Sequence, residues 1–92
     1  MTVVWRPSGR ADVSRIVAHI AEKNPVAAQT VARELFVAAA SLAVFPRRGR
    51  WGRVPNTREL VIVQPYIIVY RINDHDAVTI LRVWHGAQSR AD

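Results

Sequence analysis

The chain has 92 residues, half of them hydrophobic, and carries 13 Lys and Arg against 7 Asp and Glu, a net charge of +6. A chain of this length forms one small domain (1–92), burying roughly 60% of its unfolded surface, and its charge points to anionic partners, nucleic acid or an acidic protein. The lack of cysteine excludes a disulfide scaffold, a thiol nucleophile and cysteine-type zinc sites. The longest apolar run, FVAAASLAVF, has ten residues, about half of what spans a bilayer, so a cytoplasmic protein with no membrane partner is expected.

In chain order, Thr2 to Trp5 is a short β-prone segment stopped by Pro7, after which Ser8 can cap a helix. Val13, Ile16, Val17 and Ile20 follow the i, i+3, i+4, i+7 spacing that gathers them on one stripe. Asn24–Pro25 is a second helix start, an N-cap side chain followed by a proline whose missing N–H costs nothing at the first helical position. Val31, Leu35, Ala38, Leu42 and Phe45 then recur at helical spacing until Pro46 ends the run. The economical reading is two antiparallel helices joined by a tight turn.

The next stretch, FPRRGRWGRVPNTREL, holds five arginines between Arg47 and Arg58 and no acid before Glu59. Arg47, Arg48, Arg50 and Arg53, interrupted by Gly49, Trp51 and Gly52, suit phosphate contact with base stacking and equally suit docking on an acidic protein. A merely solvated loop is the third reading.

Beyond the loop the period changes to two. Glu59–Val63, Tyr66–Ile72 and Ala77–His85 read as a three-stranded antiparallel meander. The predicted class is therefore α+β: an N-terminal strand, a two-helix antiparallel hairpin and a meander packed on the helices. With two-residue loops at Gln64–Pro65 and Asp74–His75, one sheet face carries Val61, Val63, Tyr66, Ile68, Tyr70, Thr79, Leu81, Val83 and His85 against the helices. The other face then carries Arg58, Leu60, Ile62, Ile67, Val69, Arg71, Val78, Ile80, Arg82 and Trp84, with Arg58 directly opposite Arg71. Proline at Gln64–Pro65 disfavours a two-residue hairpin, so a wider turn there would change this register. Two helices cover one face only, so a second apolar face of this size calls for a partner, or for arginine stems arched across it.

The element order resembles the RelE/ParE superfamily of toxins from bacterial type II toxin–antitoxin, or plasmid stabilisation, systems. The likeness is carried by Asn24–Pro25, P-x-x-G-R at Pro46–Arg50, R-E-L at Arg58–Leu60, P-Y-x-x-x-Y-R at Pro65–Arg71 and R-V-x-H-G-A at Arg82–Ala87. It implies a cognate antitoxin, ParD-like or similar, that wraps and silences the toxin. An antitoxin segment would meet Arg58, Leu60, Ile62, Ile67, Val69, Arg71, Ile80 and Arg82, its carboxylates pairing with the arginines. The superfamily splits between RelE-like enzymes that cut mRNA on the ribosome and ParE-like proteins that poison DNA gyrase without chemistry of their own.

Metal-independent RNA cleavage needs a cluster of cationic and acid–base groups on one surface. Leu60 and Ile67 stand where such a nuclease resembles its relatives in carrying cations, so the ParE-like branch is favoured. Under the nuclease alternative Arg58, Arg82 and His85 would be the catalytic set. Under the gyrase reading the target would meet Arg48, Arg50, Arg53, Trp84, His85 and Arg90, while Gln88 replaces an arginine common in the family. His85 stays open between a structural, a contact and a catalytic role. His19, His75 and His85 have no carboxylate or cysteine at ligand spacing, so neither metal nor other cofactor is expected.

Overall fold

Prolines punctuate the N-terminal half. In the computed structural model of the chain, which describes residues 1–86, β1 (Thr2–Trp5) gives way to α1 (Pro7–Ala21), and Asn24–Pro25 opens α2 (Pro25–Ser41). Pro7 itself takes the first helical position, and the residue before it, Arg6, makes no side-chain cap. Ser8 is therefore inside the helix, and its Oγ donates to the Leu81 carbonyl (2.8 Å) instead of capping. Asn24 does cap α2: its Oδ1 accepts from the Ala27 N–H at 3.0 Å. That helix ends at Ser41, four residues short of Phe45, and unwinds through turns before Pro46.

The other strands are β2 (Arg50–Trp51), β3 (Arg58–Leu60), β4 (Tyr66–Asn73) and β5 (Ala77–His85), in sheet order β1-β5-β4-β3-β2. The expected meander is thus extended on both sides, by β2 folding antiparallel onto β3 and by β1 running parallel to β5.

Loop length overturns the expected register. Residues 61–65 form the β3–β4 connection, with the Tyr66 N–H donating to Val63 (2.8 Å). Leu60 therefore faces Ile68, and Arg58 faces Tyr70 rather than Arg71. At the other end Asp74–Asp76 is a three-residue turn closed by Asp76 at φ 55°, so Tyr70 pairs with Ile80 and Ile72 with Val78. One extra residue in β5, Leu81, restores the phase, and Ile68 meets Val83. A one-residue slip flips every side chain of a strand. Leu60, Val78 and Ile80 accordingly belong to the helix-covered face, and Thr79 leaves it.

The core between helices and sheet holds Leu35, Leu42, Leu60, Ile68, Tyr70, Val78, Ile80 and Val83. Gly9 lets α1 approach closely: a Cβ there would lie 3.3 Å from the Ile80 carbonyl oxygen. Where β1 ends, α1 takes over the open edge of β5. Asp12, itself buried, accepts the Val83 N–H at 2.8 Å, while Ser8 satisfies Leu81.

Candidate functional site

The arginine loop is held from below by one tyrosine. Tyr70, fully buried, donates its O–H to the Pro46 carbonyl (2.7 Å) and accepts the Gly49 N–H (2.9 Å). Burial pushes the Tyr70 phenol above its usual value, opposed by the Gly49 bond and by Arg58 and Arg48. Gly49 is required here, because a Cβ would fall 2.6 Å from the tyrosine oxygen. Arg58 donates to the carbonyls of Gly49 (2.9 Å) and Arg47 (3.3 Å), and its guanidinium lies 4.0 Å from the centre of the Trp51 ring. It is thus a brace of the loop, not a member of an arginine trio with Arg71 and Arg82. Arg50 is tied to Glu59 (3.0 Å), and Arg48 donates to Ser41 Oγ (2.9 Å). Arg47 and Arg53 have no ion pair among the described residues.

On the uncovered face, register gathers Glu59, Ile67, Val69, Arg71, Arg82 and Trp84. Its apolar floor is smaller than expected: Leu60 and Ile80 lie in the core, Ile62 sits in the β3–β4 connection, and Ile67 and Val69 are themselves buried. Arg71 is exposed. Arg82 turns to the edge, donating through Nε to Asp12 Oδ2 (2.7 Å) and through Nη2 to Oδ1 (3.0 Å), with its guanidinium 5.8 Å from the Trp84 ring centre. Burial alone would raise the Asp12 carboxyl, but bonds from Arg82, the Val83 N–H and Arg15 outweigh it and hold Asp12 below its ordinary value. The same bond raises Arg82.

His85 falls on the helix side, opposite Tyr66, with the two rings edge-on at 5.8 Å. They line a recess with Arg15, Ile16 and His19. The nuclease set Arg58, Arg82 and His85 is therefore divided among the loop, the edge and this recess. Arg90 lies outside the described residues. Among the described residues no three His, Cys, Asp or Glu are placed to hold a metal, and no helix is long and apolar enough to cross a membrane.

Sequence reasoning missed a set of exposed apolar side chains at the end of α2. Val37 (63% exposed), Val44 (72%) and Phe45 (62%) stand on and just beyond α2, and Ile62 (51%) faces the groove between α2 and the β3–β4 connection. The adjacent apolar pairs Phe36–Val37 and Val44–Phe45 stand in the sequence, but adjacency alone does not mark exposure, since Ala38 and Ala39 of the same helix are both buried. Asp12 was missed as well, because its partner is 70 residues away.

The model of the family described as the ParE toxin of the type II toxin–antitoxin system, parDE, matches residues 3–90. The chain is 43% identical over 86 residues to Toxin RelE2 of Caulobacter vibrioides, covering 94% of this chain and 96% of that protein. It is 34% identical over 92 residues to Toxin RelE1 of the same organism, with 97% of each chain covered. Among solved structures, the chromosomal ParDE TA system from P. aeruginosa superimposes with a TM-score of 0.82 at 22% identity, over 92% of this chain and 95% of that one, a likeness of fold.

Proposed function

Because the chain belongs to the ParE toxin family of type II toxin–antitoxin systems, we propose that it arrests growth by binding DNA gyrase and is silenced by a ParD-like antitoxin. The observation that carries the first half is the chemistry of the uncovered face. Its cations are Arg71, Arg82 tied to Asp12 and Arg50 tied to Glu59, beside Ile67, Val69 and Trp84, and among the described residues that face carries no histidine or tyrosine. Such a surface binds; it does not deliver and remove protons from a ribose. Arg48, Arg50, Arg53, Trp84, His85 and Arg90 are the proposed target contacts. The antitoxin is proposed to take the groove of Val37 and Ile62 and the exposed Phe45, together with Arg71, Arg82, Ile67 and Val69, while Leu60 and Ile80 act only through the core.

Supercoiling assays with purified gyrase test the reading: inhibition, or accumulation of cleaved DNA, that antitoxin reverses is the expected result. A second reading, a metal-independent mRNA nuclease, is favoured by one feature, the acid–base pair Tyr66 and His85 beside His19 and Arg15, and by the RelE names of the relatives. Growth arrest with unaffected gyrase and transcripts cut at ribosomal codons would establish it instead.

A further inference from the structure

We infer that the arginine loop is a stacking platform for single-stranded nucleic acid, with Trp51 taking an unpaired base and Arg47 and Arg53 taking the flanking phosphates. The inference extends the target-contact role given above to this loop by naming its ligand, and it needs no gyrase.

Trp51 is 70% exposed on a two-residue edge strand. An indole in that position is ordinarily a cost in water, yet this one is prepared. Arg58 lies against its ring at 4.0 Å, and Arg58 is itself fixed by the Gly49 and Arg47 carbonyls. Those carbonyls are set by the Tyr70 bonds to Gly49 and Pro46. From the core outward the order is tyrosine, loop backbone, guanidinium, indole, and the next layer in such a column is another planar ring. Stacked aromatic and guanidinium planes are how sequence-tolerant proteins hold unpaired bases.

The charges complete the case. Arg50 is neutralised by Glu59, whereas Arg47, which lines one recess with Trp51, Arg58, Asp74 and Asp76, and Arg53, two residues beyond the indole in the chain, make no ion pair among the described residues. An acidic protein would satisfy the two arginines and leave the indole face in water. A duplex would satisfy the phosphates' partners but keeps its bases stacked on one another. A single strand supplies a base face and two phosphates together.

The test uses the purified full chain, fluorescein-labelled dT12, the same length of DNA duplex, and polyglutamate of similar length. Expected are tighter binding of dT12 than of either other probe, quenching of tryptophan emission by unlabelled dT12, and loss of that quenching in Trp51→Phe. Trp51→Leu, which keeps an apolar side chain without a π face, should weaken dT12 at least about fivefold, the lower bound for one stacked base. Arg47→Ala and Arg53→Ala should each reduce the salt slope by about 0.7, one phosphate on a single strand. Unchanged dT12 affinity in Trp51→Leu overturns the inference, and so does polyglutamate binding as tightly as dT12. Gyrase inhibition that persists in Trp51→Leu while dT12 binding falls separates the two proposals; failure to inhibit gyrase leaves the binding result standing.

Discussion

Two buried polar side chains decide how firmly the surface residues are presented. Tyr70→Phe would leave the Pro46 carbonyl and the Gly49 N–H without their partner, so a loss of about 1–3 kcal/mol in chemical denaturation is expected. Asp12 accepts bonds from Arg82, Arg15 and the Val83 backbone. Its carboxyl is held below its ordinary value in the folded chain, so the folded state prefers it ionised. The resulting stability is fully present above about pH 4, the ordinary carboxylate range, and is lost as pH falls through the depressed value. Asp12→Asn should cost about 1–3 kcal/mol at neutral pH, with the gap between the two proteins constant above about pH 4 and narrowing below it. A gap unchanged at acid pH would mean that Asp12 acts as a neutral hydrogen-bond acceptor. None of this was legible in the sequence, where Asp12 and Arg82 are simply two charged residues on a helix and a strand.

At the scale of elements, legibility followed the length of the periodic signal. Both helices were readable because an apolar stripe repeats over several turns and Asn24–Pro25 marks a start. The cap assigned to Ser8 failed because Pro7 already occupies the first helical position. The faces of the sheet were misassigned because they depend on counting loop residues, five in the β3–β4 connection and three at Asp74–Asp76; sequence pattern fixes neither count. Strand β2, two residues long, is too short to show alternation. The register has a direct consequence for mutagenesis. Leu60→Ala empties a fully enclosed site and should destabilise the fold by about 2–5 kcal/mol. Arg71→Ala, on the exposed side of β4, should leave thermal stability within about 0.5 kcal/mol and weaken antitoxin capture. If Leu60→Ala melts like the parent chain and only antitoxin binding suffers, the pairing of Leu60 with Ile68 is wrong.

For the whole molecule, the surface is divided by chemistry. The arginine loop gathers positive charge at one end of β3, while Val37 and Ile62 line a groove beside α2 and Phe45 stands exposed just beyond that helix. Val37→Glu combined with Phe45→Glu should abolish antitoxin rescue of growth without lowering toxicity, since neither residue touches the core; retained rescue would move the antitoxin elsewhere. The parallel pairing of β1 with β5 has a further consequence, in the order of synthesis. β5 is the last strand described to leave the ribosome, yet it sits between β1 and β4 and is the strand on which α1 rests. Until it emerges, the first strand has no neighbour and α1 no strand to rest on, so the contacts that close the domain join the two ends of the chain and form late. A chain stopped at residue 76 should show no cooperative unfolding transition and no toxicity. Interrupted translation would then yield harmless fragments, and the cell would meet a folded toxin only as a finished product.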